Sequence, residues 1–256
     1  MCGVAGIWRP GGAPPGLLRE TAQRISDRLA HRGPDAAGLW VDPEAGVALA
    51  HRRLSIFDLS ERGAQPMHSR CGRHVLSYNG EVYDFRQIRA ELEALGDRFE
   101  GGSDTEVLLA AIARFGPVEA LRRANGMFAF AHWDREARTL HLGRDRLGKK
   151  PLYWTWIGDA IVFASELSAL RRAPGFEARV DRDALRAYLR FNAVPGAATI
   201  FEGVHKLEPG CVRRFDSRTR PRQRGELLPY WSAERAVCAG ANDPLPADPV
   251  AVEEAL

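Results

Sequence analysis

Between residues 127 and 164 the chain sets down four short apolar segments, at 127–134, 139–144, 152–156 and 160–164, with polar or glycine-containing turns between them. Segments this short, so closely spaced, are strands of an antiparallel sheet, because a helix needs about 10–12 residues to show its period. Strands are also expected at 2–8, 38–41, 46–51, 74–78 and 203–215, the one at 74–78 ending in an Asn79-Gly80 turn. Helical spacing appears at 17–30 (Leu18, Ala22, Ile25, Leu29), through Val82, Phe85, Ile88, Leu92 and Leu95, and at 105–115 and 180–191. Ser103 and Asp104 both suit the N-cap of the third of these helices. One arrangement buries every apolar face. It is an α+β fold, a four-layer α/β/β/α sandwich of two mainly antiparallel sheets with helices outside.

A chain of 256 residues can hold one large domain with a substantial core. The net charge of +3 gives no ground for a nucleic-acid partner, and only three of the 36 basic residues are lysines. No apolar run approaches the roughly 20 residues of a membrane span, and no secretory pattern opens the chain. The four cysteines lack metal-ligand spacing, so neither a metal site nor a structural disulfide is expected. The expectation is a cytoplasmic protein with reduced thiols. Beyond residue 216 large apolar side chains thin out, and 217–249 reads as a linker. Residues 250–256 read as the first turns of a further domain that the 256 residues do not contain.

The chemistry begins at Cys2. Loss of Met1 would leave a residue that carries both a thiol nucleophile and an α-amine of pKa roughly 7.7–8.0, a base near neutral pH. Alone, Cys2 also reads as the first residue of a buried strand. Asn79 and Gly80 can aim a side-chain amide and a backbone N–H into a cleft, where they would stabilise an oxyanion; alone, the pair is a tight turn. The planar guanidinium of Arg53 suits a carboxylate. Lys149-Lys150 reads as a solvated turn, and Gly101-Gly102-Ser103 lacks the pattern of a phosphate loop.

Seven further segments follow Met1-Cys2-Gly3 in order. They are His31-Arg32-Gly33-Pro34-Asp35, Arg53-Leu54-Ser55-Ile56-Phe57-Asp58-Leu59, Gly63-Ala64-Gln65-Pro66-Met67, Asn79-Gly80-Glu81-Val82-Tyr83, Ser103-Asp104-Thr105-Glu106, the block from Gly143 to Tyr153, and Phe163-Ala164-Ser165-Glu166-Leu167. Together they resemble the glutaminase half of glutamine-hydrolysing asparagine synthetases, class II glutamine amidotransferases of the N-terminal-nucleophile hydrolase type. The resemblance covers about 2–216 and implies that type of sandwich. It implies Cys2, Asn79 and Gly80 as the catalytic group. For glutamine it implies a site made by Arg53, Leu54, Ser55, Ile56, Phe57, Asn79, Gly80, Glu81 and Asp104, with Arg53 on the α-carboxylate and Asp104, near Glu81, on the α-ammonium. Asp84 departs from the family's usual asparagine, outside that group.

The resemblance implies no cofactor in this chain. ATP, Mg²⁺ and aspartate belong to a synthetase half, whose Ser-Gly-Gly-Leu-Asp-Ser loop does not occur here. A homodimer is open to such a chain. The resemblance implies glutamine hydrolysis that supplies ammonia for making asparagine from aspartate; β-lactam precursors, peptides and glutamine dipeptides are the alternative acceptors, and a regulatory remnant without activity is the further alternative.

Overall fold

The structure is a computed structural model and describes residues 1–55 and 61–242. In chain order it runs β1 (Gly3–Trp8), α1 (Pro15–Asp27), β2 (Ala36–Asp42), β3 (Val47–Arg53), β4 (Met67–His68), β5 (His74–Val82), α2 (Phe85–Ala94), α3 (Asp104–Phe115) and α4 (Pro117–Arg123). It continues with β6 (Gly126–Asp134), β7 (Thr139–Arg144), β8 (Tyr153–Ile157), β9 (Ala160–Ala164), α5 (Leu167–Leu170), α6 (Arg182–Phe191), β10 (Val204–Lys206), β11 (Cys211–Phe215), β12 (Glu226–Pro229) and α7 (Ala233–Asn242). Two six-stranded sheets result, ordered β10-β8-β9-β1-β3-β2 and β12-β11-β7-β6-β5-β4. The pairings between named strands are antiparallel.

Period-two alternation explains how the layers close. Val4 and Trp8 of β1, Val47 and Leu49 of β3, and Val75, Ala129, Ala131 and Trp133 of β5 and β6 all face the space between the sheets. Trp8 and Trp133 meet there, ring centroids 5.5 Å apart. The alternate residues face outward. Ala5, Ile7, Ala48 and Ala50 pack under α1 and α5, while Leu76, Tyr78, Phe128 and Phe130 pack under α2, α3 and α4. The α/β/β/α sandwich expected from the sequence is the fold.

Three local expectations are corrected. Asn79 and Gly80 are not a turn: β5 continues through them to Val82, with Asn79 opposite Ala129 and Gly80 opposite Phe128. Gly80 is needed for close approach, since a Cβ there would run into the Met127 carbonyl. The apolar run at 203–215 is two strands in different sheets, β10 against β8 and β11 against β7, divided at Pro209-Gly210, where Gly210 takes φ +67°. Within 217–249, read as linker, residues 226–229 form β12, which pairs with β11, and 233–242 form α7. Leu228 packs against the outer core, so even this polar stretch supplies an edge strand.

Candidate active site

The rows that fill the space between the sheets run on into its open end. Cys2 follows the parity of Val4, Arg53 that of Leu49, and Asn79 and Glu81 that of Val75. Their side chains line a cleft of about 290 Å³ at this end, together with Leu54, Ser55, Gly80 and Asp104. Strand alternation therefore brings residues far apart in sequence to one opening. Ile56 and Phe57 lie outside the described residues.

Cys2 is half-buried and stands one residue before β1. Its Sγ is bracketed by the backbone of Leu54, whose N–H donates to it at 3.4 Å and whose carbonyl accepts from it at 3.6 Å. The Nε of Arg32 donates to the Cys2 carbonyl at 3.0 Å, and Arg32 is paired with Glu166 at 3.0 Å. Burial opposes the ionisation of Glu166, but bonds from Arg32, His31 and Ser168 outweigh it and hold the carboxyl below its usual range. Ser165 adds two bonds to the next turn of chain: its Oγ accepts from Val4 N–H, and its N–H donates to the Val4 carbonyl, both at 2.9 Å. The His31–Asp35 and Phe163–Leu167 motifs thus clamp the segment that carries the thiol.

Opposite, Asn79 is 1% exposed, and its Nδ2 meets no hydrogen-bond acceptor among the described residues. A buried, unmet amide donor on a cleft wall is a group that waits for an acceptor. Arg53 places its guanidinium beside Gly63, where a Cβ would collide with Nη2. Asp35 ties this corner down, its N–H donating to the Arg53 carbonyl at 3.0 Å and its Oδ2 accepting from Ser55 N–H at 2.8 Å.

Ser103 is the N-cap of α3, accepting from Glu106 N–H at 3.3 Å, and Asp104 is the first helical residue. Asp104 Oδ2 takes the Tyr78 hydroxyl and the Val82 N–H, each at 2.9 Å. Burial pushes the Asp104 carboxyl upward, and bonds from the Val82 backbone, the Tyr78 hydroxyl and the Thr105 backbone oppose the shift without cancelling it.

Lys150 corrects the reading of Lys149-Lys150 as a solvated turn. It is 7% exposed and lines the same cleft. Asp145 causes this by collecting N–H groups from Phe128, Leu147, Lys149 and Lys150 at 2.9–3.2 Å, which folds the 145–150 loop inward. Gln65, Tyr78 and Met127 also line the cleft without having been singled out from the sequence. For Met127, the parity of Ala129 and Ala131 was the available signal; for Gln65 it was its place in the Gly63–Met67 motif. Among the described residues no group of three or more His, Cys, Asp and Glu side chains could hold a metal ion.

A thiol facing an unmet amide donor, with an arginine and carboxylates at the rim, can attack a carbonyl carbon and stabilise the oxyanion that forms. Comparison with known proteins places the chain in a family. The profile of the glutamine amidotransferase domain family matches residues 1–231. Asparagine synthetase [glutamine-hydrolyzing] 1 of Bacillus subtilis (strain 168) is 38% identical over 211 residues, covering 82% of this chain and 33% of its own length. Amidase chry2 of Gibberella zeae is 36% identical over 242 residues, covering 91% and 35%. The chain spans about a third of the length of these curated relatives. Among solved structures, one titled an allosteric regulatory enzyme of purine biosynthesis superposes with a TM-score of 0.66 at 21% identity, over 90% of this chain and 49% of its own. The glutamine phosphoribosylpyrophosphate amidotransferase of B. subtilis does so at 0.60 and 22% identity, over 90% and 49%. These two share the fold.

Proposed function

Because the chain belongs to the glutamine amidotransferase domain family, we propose that it hydrolyses glutamine through Cys2 once Met1 has been removed. The α-amine takes the thiol proton, and Sγ attacks the side-chain amide carbon of glutamine. The oxyanion accepts from Asn79 Nδ2 and Gly80 N–H, the α-ammonium of Cys2 returns its proton to the amide nitrogen as the tetrahedral species collapses with release of ammonia, and water cleaves the γ-glutamyl thioester to glutamate and the free thiol. Arg53 binds the α-carboxylate with the backbone of Leu54 and Ser55 beside it; the Asp104 carboxylate and Glu81 receive the α-ammonium of glutamine. The observation that carries this reading is the unmet Asn79 Nδ2 in the cleft that holds the Cys2 thiol.

Ammonia released here serves an amidation, in this reading that of aspartate to asparagine, on a synthetase half. ATP and Mg²⁺ belong to that half. The names of the matching synthetases support the assignment. The relative named as an amidase supports a different acceptor as the second reading. No described helix is long and apolar enough to cross a membrane.

The test uses chain processed by methionine aminopeptidase, verified by intact mass and incubated with glutamine. Release of glutamate and ammonia in equal amounts is expected, with none from chain that retains Met1. Full turnover by unprocessed chain would sink the reading.

A further inference from the structure

Two hydrogen bonds cross from one sheet to the other just behind the cleft. Ser77 Oγ donates to the Ala50 carbonyl at 3.0 Å, and His51 Nε2 donates to the Tyr78 carbonyl at 2.9 Å. A carbonyl only accepts, so Nε2 carries the imidazole proton. Ser77 and His51 are 0% and 1% exposed and sit in the inward rows just past the apolar Val75 and Leu49, between the closed core and the cleft-lining Asn79 and Arg53. Polar groups in such a place cost stability unless paired, and these are paired with each other's strands.

Their location matters more than their strength. β4 pairs with Val75 and Leu76, and beyond that point no strand among the described residues lies beside β5 on that side. Side chains meet the Tyr78 backbone instead: Gln65 Oε1 accepts its N–H at 2.6 Å, and His51 takes its carbonyl. The Tyr78 carbonyl and the Asn79 N–H share one rigid peptide plane. A bond to that carbonyl fixes the plane from which Asn79 springs. On the other strand, His51 is followed three residues later by Leu54, the residue whose backbone brackets the Cys2 thiol.

We infer that His51 is a positioning residue for the hydrolysis, setting Asn79 against the Cys2 thiol by way of the Tyr78 carbonyl, with Ser77 as the companion bond. The inference rests on the roles given to Cys2 and Asn79 above. A donor displaced by about 1 Å from a developing oxyanion loses up to about 10²-fold in rate, while ground-state contacts at the Arg53 end are untouched. Burial drives the His51 pKa down to about 4, so the ring stays neutral and the bond persists across the working range.

The experiment compares processed wild type with His51→Leu, His51→Gln and Ser77→Ala, reading kcat and KM for glutamine, the rate of Cys2 alkylation by iodoacetamide, and thermal melting. Expected for His51→Leu is a kcat loss of about 10–100-fold, with KM within about twofold and alkylation unchanged. His51→Gln, which restores an N–H donor, should recover most of the lost kcat. A His51→Leu enzyme with wild-type kcat overturns the inference, as does a folded His51→Gln enzyme no better than His51→Leu. If His51→Leu fails to fold, Ser77→Ala decides: a several-fold fall in kcat at constant KM supports the inference, and an unchanged kcat overturns it. Wild type that releases no glutamate removes the underlying reading and the inference with it, an outcome separate from a defect confined to the variants.

Discussion

Among the described residues, buried N–H donors go unmet at both ends of the space between the sheets. Trp133 Nε1 and Trp154 Nε1 lie in the closed apolar core, and Asn79 Nδ2 lines the open cleft. In the closed core an orphaned indole N–H is a cost carried by a large ring, whose burial outweighs it. At the cleft there is no comparable apolar gain. Asn79 offers a small polar side chain, 1% exposed, held by a strand whose next backbone carbonyls and amides are tied by Gln65, His51 and Asp104. The same structural fact therefore means different things at the two ends. In the core it is tolerated for packing, and at the cleft it keeps a donor ready.

The sharpest way to break this comparison is at the thiol. Cys2→Ala should reduce glutamate release to background while the urea midpoint barely moves, because only a half-buried sulfur is lost. Residual turnover above background would mean that the cleft does not depend on this nucleophile. At the closed end, Trp133→Ala should cost about 3–5 kcal/mol of stability. Its folded fraction should keep the wild-type KM; a KM shift comparable to the stability loss would show that the two ends are not separable.

Asn79→Ala should lower kcat by about 10²–10³-fold, with a denaturant midpoint equal to or above that of wild type, since an orphaned amide leaves the interior. A clear loss of stability would return Asn79 to a packing role. The smallest effect expected is with pH. Folded His51 has a pKa of about 4, while an unfolded histidine titrates near 6.5. The unfolded chain binds its proton first as pH falls, so stability is lost from about pH 6.5 downward, by on the order of 3 kcal/mol by pH 4. Urea midpoints at pH 7 and pH 5 should differ less in His51→Gln than in wild type. Equal differences would remove His51 from the acid response.

Much of this was legible in the residues before any coordinates. Strands at 139–144 and 160–164 lie where apolar runs and turns put them, and α3 begins at the Ser103 cap that its sequence offered. The misreadings share one cause. Asn79-Gly80 and the polar stretch holding β12 carry turn and linker chemistry, but neighbouring strands supply hydrogen-bond partners that local sequence does not reveal. Lys150 was misread because the side chain that buries its loop is Asp145, acting through four backbone N–H groups rather than through any apolar pattern.

Sequence alone determined the layered sandwich, because period-two and helical spacings state which faces must leave water, and it named Cys2, Arg53, Asn79 and Asp104 as groups able to act together. Only tertiary structure decided that Asn79 stays in a strand with its amide unmet, that Lys150 turns inward, and that His51 reaches across to the Tyr78 carbonyl. Apolar burial is written in local pattern. The pairing of a buried polar group depends on which distant backbone atom comes within 3 Å, and that is settled only when the two sheets close on each other.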